Sequence, residues 1–240
     1  MTARVFLGML TPSSNTILEP VTAAMVSGLP EVTAHFSRFK VTEIALSAPA
    51  LAQFDDSEIL AAAELLAHAK VNVIAWNGTS SGWLGFERDV RLCERITHAT
   101  GIPACTAMLA LNEILDKTGA ARVGFVTPYL DDVQARINAN YERAGFSVVA
   151  ERHLGMRDNF SFSTVTDTQI REMVREVAAA KPDAIAIICT NMRGAPLAEE
   201  LEAAHRIPIY DTVSTTVWKS LKIAGIDTNR VKGWGTIFST

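Results

Sequence analysis

The chain carries an internal repeat, and the repeat constrains the fold more than any other feature of the sequence. Three pairs of matching segments recur in the same order: residues 8–12 with 124–128, 73–79 with 184–190, and 102–103 with 207–208. The second member of each pair follows the first by 105 to 116 residues. The repeat predicts two α/β halves related by pseudo-symmetry. Chance similarity among parallel strands is the alternative.

Apolar segments alternate with helical patterns along the chain, which favours parallel sheets flanked by helices. Strands are predicted at 5–10, 71–76, 123–126 and 184–188. Helices are predicted at 56–69 with a cap at Asp55 or Asp56, at 104–118, at 131–144, from a capping box at 166–169 to about 180, and at 212–224. We therefore expect two pseudo-symmetric Rossmann-like lobes, residues 1–115 with 222–240 and residues 116–221, with the active site in the cleft between them.

Composition excludes several classes of protein. The 240 residues are 48% hydrophobic and 20% charged, with a net charge of −4 that gives no basic footprint for nucleic acid. No apolar run approaches the roughly 18 residues that a membrane span needs. Three scattered cysteines do not form a disulfide framework or a zinc site, and the five histidines share no metal-ligand spacing. The first ten residues lack the pattern of a signal peptide. We expect a cytoplasmic protein without metal or cofactor.

Four loops that follow strands are rich in Ser, Thr and Asn: residues 11–16, 77–82, 127–129 and 189–191. Ligands of open α/β sheets bind at the carboxyl ends of the strands, where backbone N–H groups and hydroxyls can hold an anion. None of the four loops contains Lys or Arg, and nucleotide-binding glycine motifs are absent. The pattern therefore favours a carboxylate over a phosphate. Helix capping and turn formation are the alternative roles for these side chains.

Cys189 is the most informative single residue because it lies where an apolar strand ends and a polar turn begins. A nearby helix N-terminus would lower the pKa of its thiol, so we expect a reactive cysteine. A buried core cysteine is the alternative. Cys93, in a charged helical segment, and Cys105, after a proline, are interpreted as structural.

At these loops the chain resembles the aspartate/glutamate racemase superfamily, and within it the branch of maleate cis–trans isomerases and arylmalonate decarboxylases. Residues 12–16 resemble the isomerases and residues 78–80 the decarboxylase. Residues 129–133, after Thr127-Pro128, resemble both. The resemblance covers nearly the whole chain. It implies a two-lobed fold, a catalytic cysteine at position 189 and no cofactor.

The resemblance also shows what this chain lacks. Superfamily members that racemise carry a cysteine in each half, and Gly78 stands where the first of them would be. One thiol can protonate only one face of a carbon atom. This favours a decarboxylase in which Cys189 protonates an enolate at Cα of a small carboxylic or dicarboxylic acid, and it predicts that Gly78→Cys adds an acid–base group on the other face. The alternatives are an isomerase or racemase in which another group replaces the thiol, and a non-catalytic carboxylate-binding protein.

The predicted site residues form a catalytic set and a substrate-binding set. The catalytic set is Cys189, Thr79, Ser80 and Tyr129. The substrate-binding set is Ser14, Asn15, Gly78, Thr190 and Asn191. An apolar wall near the departing group is expected from Trp76, Trp83 and Leu84, with core packing as the alternative. The chain departs from the decarboxylase pattern in carrying Thr190-Asn191 where that enzyme has two glycines. The expected partner is a small carboxylate substrate, and association into a homo-oligomer is left open.

Overall fold

The computed structural model describes residues 4–53 and 56–240, and these form two four-stranded sheets in which all strands are parallel. The strands of the first sheet are β1 (Val5–Pro12), β2 (Val32–Phe39), β3 (Val73–Trp76) and β4 (Ala104–Thr106), in the order β2-β1-β3-β4. The strands of the second sheet are β5 (Arg122–Thr127), β6 (Ser147–His153), β7 (Ala184–Ile187) and β8 (Ile209–Asp211), in the order β6-β5-β7-β8. The two orders are the same, so the predicted fold class is confirmed.

Helices connect and flank the strands. In the first half they are α1 (Leu18–Val26), α2 (Ala48–Ala52), α3 (Asp56–His68), α4 (Ser81–Leu84), α5 (Glu87–Thr100) and α6 (Ala107–Thr118). In the second half they are α7 (Asp131–Arg143), α8 (Asp167–Ala178), α9 (Ala198–His205) and α10 (Thr212–Ile223). No helix in the described part of the chain is long and apolar enough to cross a membrane.

The three repeated segment pairs occupy equivalent places in the two sheets. The first pair forms β1 and β5, the second β3 and β7, and the third leads into β4 and β8. The predicted capping box is also present, since the Thr166 side chain accepts a hydrogen bond from the Gln169 N–H and the Gln169 side chain bonds back. The side chains of Asp55 and Asp56, one of which was expected to cap α3, lie outside the described residues.

One predicted boundary is wrong. Residues 104–106 form strand β4 rather than the first turn of a helix, because they pair in parallel with β3. The helix begins only at Ala107, where the hydroxyl of Thr106 accepts a hydrogen bond from the Leu109 N–H at 3.1 Å. Tertiary pairing therefore overrides the local helical pattern at the start of this segment.

Helix α10 connects the two halves. It follows β8 of the second sheet but packs against α6, α1 and β3 of the first half. The Thr215 hydroxyl donates to the Ala107 carbonyl at 3.0 Å, and the Ser220 hydroxyl lies 3.7 Å from the Cys105 thiol. The point at which one lobe ends and the other begins, placed between residues 221 and 222 from the sequence, stays a prediction.

The repeated glycines Gly8 and Gly124 lie where a neighbouring segment crosses closely over the central strand of each sheet. A Cβ atom at Gly124 would lie 2.3 Å from Val177 Cγ1 of α8. A Cβ atom at Gly8 would lie 2.9 Å from Val71 Cγ2 and 3.3 Å from Leu66 Cδ1 of α3. Because these two glycines lack a side chain, α3 can pack closely against the first sheet and α8 against the second.

We predict that Gly124→Ala lowers the free energy of unfolding by about 1–3 kcal/mol, because the added methyl group overpacks the contact with α8. Gly28→Ala is the matched control, since a Cβ at exposed Gly28 meets nothing within 4 Å. The control should change stability by less than about 0.5 kcal/mol. Equal losses in the two variants, measured by chemical denaturation, would contradict the close approach of α8.

Candidate active site

A cavity lies where loops from the two sheets meet. Its lining residues are Pro12, Val41, Ile44, Trp76, Gly78, Thr79, Ser80, Trp83, Tyr129, Asn159, Cys189 and Thr190. Six of the nine predicted site residues are among them: Gly78, Thr79, Ser80, Tyr129, Cys189 and Thr190. The cavity is small, with a volume of about 20 Å³, which is room for little more than one water molecule.

Cys189 lies just beyond the end of β7, with only 2% of its surface exposed. Burial raises the pKa of its thiol to about 12, and the nearby Asp211 carboxylate acts in the same direction. Hydrogen bonds from the Asn191 and Met192 N–H groups and from the Tyr129 hydroxyl oppose this rise without cancelling it. The expected lowering of the pKa is therefore wrong, because enclosure in the cavity outweighs the local backbone donors. At neutral pH the thiol carries its proton.

Tyr129 connects Cys189 to the first half of the chain. Its hydroxyl lies 2.6 Å from the Thr79 hydroxyl, and it also neighbours the Cys189 sulfur, whose thiolate form it would stabilise as a donor. Burial and the neighbouring Cys189 raise the pKa of Tyr129 well above its usual value. Contacts with Trp83 and Phe162 fix the ring, with centroid distances of 5.3 and 5.6 Å. The site thus contains a chain of neutral donors, from Thr79 through Tyr129 to Cys189.

Ser14 and Asn15 lie behind the cavity wall rather than in it. The Ser14 hydroxyl donates to the Val41 carbonyl at 2.7 Å. The Asn15 side-chain oxygen accepts hydrogen bonds from the N–H groups of Ile17 and Leu18 at the start of α1. Their predicted contact with substrate stays a prediction, and the structure shows that both side chains already have protein partners.

Thr190 and Asn191 hold the two halves together. The Thr190 hydroxyl donates to the Asn77 carbonyl at 2.9 Å and accepts from the Asn15 side chain at 3.1 Å. The Asn191 side-chain oxygen accepts from the Thr16 N–H at 2.9 Å. Thr190 lines the cavity, whereas Asn191 lies outside it. These bonds give a physical reason for the Thr-Asn pair, since two glycines could make none of them.

Asn159 is a cavity residue that the sequence did not identify. Its side-chain amide donates to the Ser14 hydroxyl at 2.7 Å, and its carbonyl accepts from the Asn191 side chain at 2.6 Å. Asn159 follows β6, and Val41 and Ile44 follow β2, which holds the equivalent place in the other sheet. Neither edge strand was predicted, so the segments after them could not be assigned to the site.

The two segments that follow β2 and β6 meet over the cavity. Glu43 forms an antiparallel bridge with Asp158, and the Ile44 N–H donates to the Arg157 carbonyl at 3.0 Å. The Asn159 N–H donates to the carbonyl of residue 42 at 3.0 Å. These contacts place Val41, Ile44 and Asn159 against the loops that the sequence predicted.

Trp76 fills the place where a side chain at position 78 would lie. A Cβ atom built on Gly78 would lie 1.8 Å from Cζ2 of the Trp76 indole. Phe39 packs behind the indole at a centroid distance of 5.0 Å. The Gly78→Cys substitution expected to add a second thiol therefore requires Trp76 to move. Of the predicted apolar wall, Trp76 and Trp83 line the cavity and Leu84 does not.

The remaining cysteines lie outside this cavity. Burial raises the pKa of Cys93 and raises that of Cys105 to about 11. Among the residues that the structure describes, no cluster of His, Cys, Asp and Glu is suited to hold a metal ion.

Comparison with known proteins places the chain among enzymes of two activities. Residues 15–238 match the family model of arylmalonate decarboxylase. A maleate isomerase from Geobacillus stearothermophilus is 23% identical over 92% of each chain. An arylmalonate decarboxylase from Bordetella bronchiseptica is 25% identical over 69% of this chain and 70% of its own length.

A solved structure has the same fold. The Nocardia farcinica maleate cis–trans isomerase, as a cysteine-to-serine mutant with a covalently bound succinylcysteine intermediate, superposes with a TM-score of 0.90. It is 22% identical, and the match covers 98% of both chains. The resemblance stated from the loops is confirmed by the family match and by these relatives. The chain belongs to the arylmalonate decarboxylase family.

Proposed function

We propose that this protein decarboxylates a small malonate-type dicarboxylate without a cofactor, and that Cys189 protonates the enolate that is formed. One observation carries the proposal. Among the described residues that line the cavity there is a single thiol, which is protonated at neutral pH, and the indole of Trp76 fills the position of a second one at Gly78. One proton donor on one face suffices for decarboxylation, whereas two-base inversion needs a group on each face.

In the proposed reaction the bond between Cα and one carboxylate breaks, and carbon dioxide leaves without the electron pair. The pair is delocalised into the retained carboxyl group as an enediolate. The Cys189 S–H bond then breaks, and its proton joins Cα. The thiolate that remains recovers a proton from solvent. No oxidant or reductant is needed.

The neighbours of Cys189 suit both states of its sulfur. The raised pKa keeps the proton on the thiol until a strong base, the enediolate, is present. After transfer, the hydroxyl of Tyr129 and the N–H groups of Asn191 and Met192 bond to the sulfur and stabilise its negative charge. The thiol can thus return to its starting state within the same site.

The enediolate needs preorganised donors, and such donors contribute about 3–4 kcal/mol each where they have been measured. Thr79, Ser80 and Tyr129 line the cavity and are neutral donors. Pro12, Val41, Ile44, Trp76 and Trp83 supply an apolar wall. A carboxylate placed against that wall is poorly solvated, which favours its loss as neutral carbon dioxide.

Asn159 is the side chain best placed to bind the retained carboxylate. It lines the cavity, and its amide has a second N–H beyond the one bonded to Ser14. We propose that Ser14 and Asn15 act on the substrate through their partners, Ser14 by orienting Asn159 and Asn15 by orienting Thr190. Gly78 contributes backbone to the wall.

Maleate isomerisation is the second candidate, and the relatives favour it. A maleate isomerase structure among them holds a succinylcysteine, so in that protein a cysteine bonds to the substrate carbon. Here the corresponding step would use Cys189 as a thiolate nucleophile. Its raised pKa and the absence of a second cavity thiol among the described residues disfavour that step.

We predict that Cys189→Ala reduces kcat for malonate decarboxylation by at least about a hundredfold, the usual contribution of a positioned proton donor. Cys93→Ala is the control, because Cys93 lies outside the cavity. The initial rate of carbon dioxide release measures both variants. A Cys189→Ala enzyme that keeps more than about a tenth of the activity would rule out this role for the thiol.

Heavy water separates the candidate functions. We expect the wild-type enzyme to convert a monoalkyl malonate into a product with one deuterium at Cα and a single configuration, because one thiol protonates one face. Product analysis by NMR and chiral derivatisation measures both properties. Formation of fumarate from maleate would support the isomerase instead. A product with two deuterium atoms at Cα would support the racemase, because both faces would then have been protonated. Tight binding of malonates without turnover would support the binding protein.

Tyr129→Phe should lower kcat/KM by about ten- to a thousandfold, because the enediolate loses a donor before proton transfer and the Cys189 thiolate loses the same donor after it. The loss should fall mainly on kcat, since the donor acts when charge develops. Tyr141→Phe is the matched control, as Tyr141 is equally buried but outside the cavity. Equal steady-state constants for Tyr129→Phe and wild type would place the reaction elsewhere.

A further inference from the structure

Equivalent strand ends in the two halves of the repeat carry side chains of different size. The repeat matches Trp76 with Ile187 and Gly78 with Cys189. In the second half, the smaller residue Ile187 lies two positions before Cys189, which carries a side chain. In the first half, Trp76 lies two positions before Gly78, which carries none. Three atoms of the Trp76 indole lie 1.8 to 2.5 Å from the point that a Cβ atom at Gly78 would occupy.

The Trp76 indole is fixed in this position. Trp76 is the last residue of β3, which pairs with β1 on one side and with β4 on the other. Only 1% of its surface is exposed, and Phe39 packs against it at 5.0 Å. The ring is therefore a rigid part of the cavity wall on the side of the first sheet.

This wall limits what the cavity can hold. The six-membered portion of the indole, atoms Cε2, Cζ2 and Cη2, lies against Gly78 at the cavity lining. Val41, Ile44 and Trp83 line the same cavity. A substrate bound with its Cα substituent towards Gly78 would place an aromatic ring where the indole already lies, whereas hydrogen or a short alkyl group needs no such space.

We propose that Trp76 is the specificity-determining residue of this site, and that it selects malonates with hydrogen or a short alkyl group at Cα and excludes arylmalonates. The inference rests on the proposed function for the reaction, but the exclusion of an aromatic ring by Trp76 concerns only the binding of the malonate. The same ring keeps a second acid–base side chain out of position 78, so substrate size and one-face protonation have one structural cause.

Binding tests this without turnover. In a Cys189→Ala background, we expect calorimetry to show that methylmalonate binds at least about tenfold more tightly than phenylmalonate, because even one methylene group in an apolar pocket discriminates by about 10–200-fold. Adding Trp76→Leu should reduce this ratio of Kd values at least about tenfold. An unchanged ratio would overturn the proposal. Trp76→Phe, which shortens the ring but keeps it aromatic, provides the measurement if Trp76→Leu does not fold.

Trp83→Leu is the matched control, because it makes the same substitution in the same cavity without touching position 78. Its ratio of Kd values should stay within about threefold of the parent, since the ring against Gly78 is retained. An equal relaxation in Trp83→Leu would mean that cavity volume in general, and not Trp76, sets specificity. If the wild-type enzyme releases no carbon dioxide from any malonate, the proposed function fails, while the binding ratios in the Cys189→Ala background still decide the role of Trp76.

A thermal unfolding cycle tests the contact itself. Gly78→Ala should lower Tm by about 3 °C or more in the wild type, because its methyl group collides with the indole. In the Trp76→Leu background, Gly78→Ala should change Tm by less than about 2 °C. Equal shifts in the two backgrounds would show that the indole does not occupy the place of the side chain at 78.

Discussion

The buried hydrogen bonds of the Thr190–Asn191 loop hold the two sheets in register across the cavity, and the site depends on them. The Thr190 hydroxyl bonds to both Asn77 and Asn15, which belong to the first half. Asn191 bonds to Thr16 in the same half. Buried polar groups are costly unless paired, so a small displacement of one half would leave several of them unsatisfied. The network therefore defines one relative arrangement of the loops that carry Cys189 and Thr79.

Burial of the side chains that line the cavity decides its chemistry. Burial raises the pKa of Cys189 and of Tyr129, so both groups are neutral donors at neutral pH. No Lys or Arg is among the residues described as lining the cavity. Under the proposed function, a dicarboxylate bound there would meet neutral donors and apolar side chains. Such an environment would stabilise the delocalised enediolate better than a localised carboxylate, which is the direction that decarboxylation requires.

Much of the fold and part of the site could be predicted because they depend on local patterns. Buried parallel strands are continuous apolar runs, so β3, β5 and β7 were visible, and the repeat related the two sheets. Loops at the carboxyl ends of such strands converge by topology, so Cys189, Thr79 and Tyr129 could be placed together. The edge strands β2 and β6 are only partly buried and lack that pattern. Asn159, which follows β6, was missed for this reason.

The sequence by itself determined the two-sheet architecture and placed Cys189 at a strand end with Gly78 at the matching place in the other half, since these follow from residue identity and strand pattern. Only the tertiary structure decided that Cys189 is protonated, because a pKa depends on how completely the fold removes solvent. It also decided that Ser14 and Asn15 bond to protein groups and that the indole of Trp76 covers Gly78. Those outcomes depend on how side chains distant in sequence pack in three dimensions, and no local pattern records that packing.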